Sequence, residues 1–254
     1  MSDPVRYEVV RGVAWLTIDR PEARNALSRT VRMSLFAGVR RFNADDTARV
    51  LVLTGAGDRA FCAGGDLREM ADVALTVPPP DFLPQFGRNI AVGKPTIAAV
   101  NGIAYGGGFL LVQNCDLVVA SDTARFAVTE ARIGRGSPWA ARLPLLIPPR
   151  IAMQLLVTGE PIDARRAYEV GLVNEVVPPD ELRGAAQRLG ERIAANAPLS
   201  VRAAKATVSL VAGLPLAEAF DAAEGIWDPV YRSLDAQEGP AAFRDKRTPV
   251  WQGR

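Results

Sequence analysis

The sequence predicts an α/β fold with a helical C-terminal region. Three features predict it: continuous β-branched runs typical of strands covered on both faces, helix-period segments between those runs, and helical periodicity from about Asp180 onward. Hydrophobic residues make up 48% of the 254 residues, which is enough for one sizeable core. We expect an α/β core over residues 1–195 and a helical region over residues 196–254, divided near the helix-breaking Pro198.

The first predicted elements are a hairpin and a helix. Apolar and polar residues alternate over residues 6–10 and 13–19, around the turn signal Arg11-Gly12. Ser28 is a candidate N-cap for the helix that follows. The buried face of this helix is predicted from three- and four-residue spacings among Val31, Leu35, Phe36, Val39 and Phe42.

The later elements alternate and then become entirely helical. Residues 49–54, 95–100 and 117–120 are predicted as buried strands. Residues 73–86 contain Pro78–80 and Pro84, which favour a loop over the site. Four C-terminal helices are predicted, at residues 182–195, 199–211 and 216–231 and in a short piece around Phe243.

The composition excludes several kinds of active site. The chain contains no histidine, so Ser-His-Asp triads, Cys-His dyads and histidine-based metal sites are excluded. A general base must then be Glu, Asp, Lys, Tyr or a thiolate, and a carboxylate is the commonest of these. We expect no metal and no cofactor.

Charge and cysteine content point to a protein of the cytoplasm. The 30 basic and 28 acidic residues give a net charge of +2, which argues against a nucleic-acid partner. Cys62 and Cys115, the only cysteines, lie beside glycine-rich segments and are explained by packing in a reducing compartment. No apolar signal region opens the sequence and no apolar run reaches the roughly 20 residues of a membrane span. We expect no membrane association.

Two glycine-rich stretches carry the strongest functional signal. Residues 61–66 read Phe-Cys-Ala-Gly-Gly-Asp and residues 101–108 read Asn-Gly-Ile-Ala-Tyr-Gly-Gly-Gly, and each stretch follows a strand-like run and leads into a helix. Glycine allows the main chain to approach a ligand, and a helix start leaves N–H groups free at the positive end of its dipole. The arrangement predicts two N–H groups aimed at one oxygen, an oxyanion hole.

A dinucleotide fingerprint is the competing interpretation of a third glycine segment. Residues 55–60, Gly-Ala-Gly-Asp-Arg-Ala, have the G-x-G-x-x-A spacing after a predicted strand. That fingerprint needs a helix beginning inside the motif, whereas here the segment Phe-Cys-Ala-Gly-Gly follows. A tight turn explains these glycines better.

Taken together, the motifs resemble the enoyl-CoA hydratase/isomerase (crotonase) superfamily over nearly the whole chain. The resemblance is carried by residues 61–67 and 100–108, by Cys-Asp-Leu-Val-Val-Ala-Ser at 115–121, by Ala-Arg-Phe-Ala-Val-Thr-Glu at 124–130, and by residues 156–164, 171–178 and 242–247. It implies a spiral of ββα repeats, C-terminal helices that form a homo-trimer or a hexamer of paired trimers, and an acyl-CoA thioester substrate, with coenzyme A entering as part of that substrate.

The resemblance also assigns the catalytic groups. The N–H groups of Gly65 and Gly107 are implied as the oxyanion donors, and Glu130 as the catalytic acid/base. A solvated loop carboxylate is the alternative for Glu130, whereas enclosure by Phe126, Val128 and Ile133 favours a raised pKa and proton transfer near neutral pH.

Two features depart from the family pattern. Leu110 stands where hydratases of this family carry a second glutamate, and a leucine cannot activate water. The stretch at 134–141 is also altered, which adds bulk around Trp139 and brings the charge of Arg135 near Glu130. We therefore expect double-bond isomerisation or hydration with one carboxylate. Thioester hydrolysis and coenzyme A binding with little turnover remain alternatives.

The remaining implied contacts concern the coenzyme A and acyl portions of the substrate. Asp66 is interpreted as a helix cap and Tyr105 as a wall of the acyl pocket, with proton transfer the alternative role for both. Arg24, Arg68 and Lys246 have the charge to meet phosphates, although each also fits a solvated surface position. The implied coenzyme A contacts are Arg24, Ala26, Ala63, the stretch Gly65, Asp66, Leu67 and Arg68, and Lys246 reaching across from the C-terminal helix.

Overall fold

The structure is a computed structural model that describes residues 3–211 and 213–254. Its strands are β1 (Val5–Val10), β2 (Val13–Ile18), β3 (Val50–Gly55), β4 (Ala60–Cys62), β5 (Thr96–Val100), β6 (Ile103–Tyr105), β7 (Leu117–Ser121), β8 (Arg125–Ala127), β9 (Ile162–Asp163) and β10 (Glu175–Val177). Its α-helices are α1 (Arg29–Ala44), α2 (Leu67–Asp72), α3 (Gly107–Asn114), α4 (Leu143–Leu146), α5 (Pro149–Thr158), α6 (Ala164–Glu169), α7 (Leu182–Ala194), α8 (Pro198–Val211), α9 (Leu216–Tyr231) and α10 (Leu234–Arg244). Short 3₁₀ turns lie at Pro21–Ala23, Glu130–Ile133, Pro138–Arg142 and Pro179–Glu181.

The larger sheet has six strands in the order β1-β2-β3-β5-β7-β10. The hairpin β1-β2 is antiparallel, and every later pairing in this sheet is parallel. Parallel neighbours need long crossovers, and those crossovers carry the short strands and helices of a second layer.

That second layer is a four-stranded sheet in the order β4-β6-β8-β9. The pairs β3/β4, β5/β6 and β7/β8 each place their first strand in the large sheet and their second strand in the small one. A helix follows the first two pairs, α2 and α3 respectively, and a 3₁₀ turn follows the third. These repeated units form the ββα spiral expected from the family resemblance.

The large sheet is covered on both faces because its strands are apolar throughout. In β3, Val50 and Val52 pack with Ala185 of α7 on one face. Leu51 and Leu53 belong to the main core on the other face. All six residues of β3 are buried, as the continuous β-branched run predicts.

Most predicted elements are confirmed, with three adjustments at their ends. Helix α1 begins directly after Ser28, but the Ser28 hydroxyl makes no capping hydrogen bond. Helix α8 begins at Pro198, because proline is tolerated in the first turn, and α10 is longer than the short piece expected around Phe243. The segment after β3 forms a turn at Gly57, with φ of 81°, and continues into β4, so the dinucleotide motif is absent there.

The C-terminal helices contact the α/β core directly. Lys205 on α8 forms an ion pair of 2.8 Å with Asp116 and donates to the carbonyl of Lys94 at 2.9 Å. The division of the chain at residue 195 stays a prediction. Among the helices in the described ranges, none combines the length and hydropathy required to cross a membrane.

Candidate active site

The two glycine-rich stretches meet at the ends of β4 and β6. A Cβ atom placed on Gly64 would lie 2.8 Å from the carbonyl oxygen of Tyr105 and 3.5 Å from the nitrogen of Gly107. A Cβ atom on Gly107 would lie 3.9 Å from the nitrogen of Gly65. The φ angles of Gly64 and Gly106, 98° and 52°, lie where side chains are strained. Close approach and backbone conformation therefore both require glycine here.

The N–H groups of Gly65 and Gly107 are available to a ligand. Neither donates a hydrogen bond to a described residue. Gly107 is the first residue of α3, so its N–H lies at the positive end of the helix dipole. Two free donors converging within a few ångströms fit the geometry of an oxyanion hole.

Helix α3 is held against β4 by a second glycine contact. A Cβ atom on Gly108 would collide with the carbonyl oxygen of Cys62. All eight residues of α3 are buried, so the helix is fixed along its length. This packing sets the position of the Gly107 N–H.

Glu130 lies on the other side of the same glycines. It begins the 3₁₀ turn after β8, and that strand is tied to the glycine segment because the Gly106 N–H donates to the Ala127 carbonyl at 3.0 Å. Oε1 of Glu130 lies 3.1 Å from the position of a Cβ on Gly106. Oε2 is buried and has no hydrogen-bond partner among the described residues. A carboxylate with a free oxygen thus lies next to the two donors.

Burial raises the pKa of the Glu130 carboxyl above its ordinary value. Backbone groups of Glu130 and Thr129 and the side chain of Trp139 oppose this shift by stabilising the charged form. A carboxyl group with a raised pKa can both accept and return a proton near neutral pH. The environment therefore suits the acid/base role predicted for Glu130.

Leu110 lies on α3, Tyr105 lies at the end of β6, and Trp139 lies in the 3₁₀ turn that contacts α3. Leu110 is 4% exposed and lies one helical turn beyond Gly106, to whose carbonyl its N–H donates at 3.1 Å. Tyr105 ends β6 and is half-buried. Trp139 is half-buried and packs against the main core. The position of Leu110 supplies no second proton-transfer group.

A cavity of about 290 Å³ lies between α2 and the turn that follows Glu130. Its walls come from α2, the segment after α2 and the turn that Glu130 begins: Leu67, Met70, Ala71, Ala74, Leu75, Ile133 and Arg135. Met70 connects the cavity to the donors, because its Sδ lies 2.9 Å from the position of a Cβ on Gly65. The cavity therefore adjoins the segment that contains Gly65.

The predicted coenzyme A contacts at the start of the chain lie in one connected loop. Arg24 is exposed and in the left-handed conformation, with φ of 51°, and its carbonyl accepts the N–H of Ala63 at 3.0 Å. Ala26 and Ala63 are both half-buried. The loop thus brings the backbones of residues 24 and 63 together near the oxyanion donors.

Residues 66–68 begin α2 beside that loop. The Asp66 carboxylate accepts the Glu69 N–H at 3.3 Å, which confirms its helix-capping role. Leu67 is 53% exposed and Arg68 is exposed, so both side chains can meet a ligand at the surface. Lys246 is not brought to these residues within one chain. It is exposed, and its N–H donates to the Phe243 carbonyl at 3.2 Å.

Two polar residues that organise this region were not singled out from the sequence. Arg20 donates to the carbonyl of Ala26 at 3.2 Å and lies 3.5 Å from the Asp66 carboxylate. The buried side chain of Asn25 donates to the carbonyls of Ala56 and Ala60 and accepts the Arg20 N–H. Only the polarity of the loop 20–26 hints at these roles, because the partners outside the loop, Ala56, Ala60 and Asp66, are distant in sequence.

The predicted loop over the site is also present. No helix or strand lies between the end of α2 at Asp72 and β5. Leu83 of this loop is buried, and its Cδ1 lies 3.0 Å from the position of a Cβ on Gly107. Within the described ranges, no group of three or more Asp, Glu or Cys side chains is arranged to hold a metal ion.

Comparison with known proteins identifies the family. The sequence profile described as Enoyl-CoA hydratase/isomerase matches residues 8–254. The chain belongs to the enoyl-CoA hydratase/isomerase family. It is 38% identical to (E)-benzylidenesuccinyl-CoA hydratase of Thauera aromatica, over 98% of this chain and 99% of that protein. It is 37% identical to carnitinyl-CoA dehydratase of Escherichia coli strain K12, over all of both chains.

Solved structures show the same fold. An enoyl-CoA hydratase/isomerase from Mycobacterium paratuberculosis superposes with a TM-score of 0.89 at 37% identity, covering 99% of each chain. An enoyl-CoA hydratase structure from Mycobacterium tuberculosis H37Rv gives a TM-score of 0.89 at 35% identity over the whole of both chains. The family acts on acyl-CoA thioesters, and this chain is an acyl-CoA-processing enzyme of that family.

Proposed function

We propose that this enzyme transfers a proton at the carbon beside the thioester of an enoyl-CoA. The thioester oxygen accepts hydrogen bonds from the N–H groups of Gly65 and Gly107, and Glu130 removes or returns the proton. The observation that carries this proposal is the convergence of two free N–H donors and one buried carboxylate on the segment Gly106–Gly107. The negative charge of the enolate develops on the oxygen that the donors hold.

Double-bond isomerisation is the reaction that one carboxylate completes unaided. Glu130 removes a proton from one carbon, the enolate forms in the oxyanion hole, and the protonated Glu130 returns the proton to another carbon. The raised pKa of Glu130 supports this cycle, because the same group must act as base and then as acid. The apolar side chain of Leu110 leaves this cycle with a single titratable group.

Hydration is the second candidate, and the relatives favour it. The chain is similar to proteins named hydratase and dehydratase, which add or remove water. In that reaction Glu130 activates the water, and the oxyanion hole again stabilises the enolate. The step would lack a second carboxylate at the position of Leu110.

Product analysis in deuterated water separates these reactions. The purified protein is incubated with 2-enoyl-CoA and with 3-enoyl-CoA, and products are followed by mass spectrometry. A shifted double bond with deuterium and without added water establishes isomerisation, and a product heavier by one water establishes hydration. Release of free coenzyme A establishes thioester hydrolysis. Binding without deuterium exchange establishes a coenzyme A binding protein and contradicts the proposal.

We further propose that Arg24, Ala26, Ala63, Asp66, Leu67, Arg68 and Lys246 contact coenzyme A, while Tyr105, Leu110 and Trp139 contact the acyl group. Lys246 would approach from a neighbouring subunit of a trimer or a hexamer. Exposed aromatic residues on the C-terminal helices support self-association: Phe220, Tyr231 and Phe243 are 65%, 74% and 88% exposed. Light scattering gives the subunit number. The enzyme would act in the cytoplasm without a metal or a cofactor.

A further inference from the structure

The cavity between α2 and the turn that follows Glu130 is apolar except for one cationic group. Six of its seven lining residues are Leu, Met, Ala or Ile, and the seventh is Arg135. No acidic side chain is among the lining residues. An acyl group that is apolar throughout would not need this guanidinium.

The Arg135 side chain is fixed at one end and unsatisfied at the other. Its Nη1 donates to the carbonyl of Leu75 at 2.7 Å, which ties the segment after α2 to the Glu130 turn. Its Nη2 is buried and has no hydrogen-bond partner in the described part of the chain. Arg135 also forms no ion pair with a described acidic residue. A buried guanidinium nitrogen without an acceptor is costly unless a ligand supplies one.

The backbone places Arg135 in the turn that begins at Glu130. The Arg135 N–H donates to the carbonyl of Glu130 at 2.9 Å, so both residues belong to one closed turn. Met70 lines the cavity, and its Sδ lies 2.9 Å from the position of a Cβ on Gly65. A thioester held at the glycines with its acyl group in the cavity therefore extends toward Arg135.

We propose that Arg135 selects acyl-CoA substrates whose acyl group carries a second, anionic carboxylate. The carboxylate would accept a charge-assisted hydrogen bond from the guanidinium, whose Nη2 would turn from its enclosed position toward the cavity. The planar guanidinium suits this geometry better than an ammonium group does. The apolar walls would hold the carbon chain between the two ends. This inference rests on the proposed function, since it assumes that the thioester lies at Gly65 and Gly107.

Equilibrium binding tests the inference without requiring turnover. Succinyl-CoA and butyryl-CoA have acyl chains of similar length, and only the first ends in a carboxylate. Titration calorimetry should show that the full-length protein binds succinyl-CoA more tightly. The variant Arg135→Met should weaken succinyl-CoA binding by about 30-fold or more, because it removes one partner of a desolvated charge pair. Butyryl-CoA binding should change by less than about 3-fold.

Two further variants separate charge from packing. Arg135→Lys keeps the positive charge but not the planar donor pair, so it should recover part of the preference for succinyl-CoA. Arg132→Met removes an exposed cation from the same turn and should leave the preference unchanged. Thermal melting of each variant confirms that it is folded.

The outcomes distinguish this inference from the proposed function. Equal affinity of the wild-type protein for the two ligands, or an equal loss of both in Arg135→Met, overturns the role of Arg135 in selectivity. A matching loss of free coenzyme A binding also overturns it, because Arg135 would then contact the coenzyme A portion. Deuterium exchange into enoyl-CoAs whose acyl group carries no charge, together with equal affinities for succinyl-CoA and butyryl-CoA, would refute this inference alone and leave the proposed function intact.

Discussion

Replacing Gly107 with proline removes one of the two proposed oxyanion donors while leaving α3 able to form. Gly107 is the first residue of that helix, where proline is tolerated because this N–H has no partner within the helix. The preceding Gly106 is not helical, with ψ of −122°, so it does not suffer the usual clash before proline. The variant thus removes the donor, and its ring Cδ takes the place of the amide hydrogen, so both changes act against an oxyanion at this position.

Gly107→Ala is the matched control. Both substitutions place a Cβ atom 3.0 Å from Cδ1 of Leu27 and from Cδ1 of Leu83, and both leucine contacts involve the movable ends of side chains. Only proline removes the N–H. Losing one oxyanion donor costs about 10²–10³ in rate, or roughly 2.7–4 kcal/mol of transition-state stabilisation. We expect that difference between the proline and the alanine variants.

The assay is the rate of deuterium incorporation into a bound acyl-CoA at the carbon beside the thioester. Both variants should remain folded, as shown by circular dichroism and thermal melting. Equal exchange rates for the two variants would contradict a hydrogen bond from this N–H to the enolate oxygen. If Gly107→Ala lost as much of the exchange rate as Gly107→Pro, the added Cβ atom and not the missing N–H would explain the defect.

Three further predictions concern the carboxylate, the glycine packing and the thiols. Glu130→Gln should lower the rate of deuterium exchange by about 10² or more and retain substrate binding. Because burial raises the pKa of Glu130, the folding stability of the wild type falls as pH rises from the ordinary carboxyl pKa through the raised one. In parallel thermal melts, the variant should therefore gain stability relative to the wild type from acidic to neutral pH. In urea titrations, Gly108→Ala should lower the free energy of unfolding by about 3 kcal/mol, because the new Cβ meets the backbone of β4. Gly136→Ala is the control: its Cβ would have only one contact, at 3.9 Å, and it should change the free energy of unfolding by less than about 1 kcal/mol. Burial raises the pKa of both Cys62 and Cys115 to about 12, so a thiol reagent should label neither in the native protein and both after unfolding, and rapid native labelling would contradict their burial.

The large sheet was predictable because its strands are long apolar runs. Strand β3 forms within one residue of the predicted range, and α9 has the predicted bounds. The small sheet was not predictable from propensity. Strands such as β4 and β9 contain three and two residues, which is too short for a periodicity. Only the family resemblance indicated that such strands follow the long ones.

The candidate site was predictable in its residue types but not in its contacts. The glycines predict a close approach of two backbone segments, and the absence of histidine favours a carboxylate as the general base. The distance between Glu130 and Gly106 depends on the pairing of β6 with β8, which joins segments distant in sequence. The environment of the Arg135 guanidinium likewise depends on the loop after α2, whose Leu75 accepts a hydrogen bond from Arg135. Local sequence patterns do not specify such contacts.

The most direct test of the account compares deuterium exchange in the wild-type protein and in Glu130→Gln, with the same enoyl-CoA in deuterated water. Proton transfer by Glu130 predicts deuterium at the carbon beside the thioester with the wild type, and little or none with the variant although it still binds the substrate. Equal exchange in both proteins would contradict the assignment of Glu130, and no exchange in either would contradict enolate chemistry at this site.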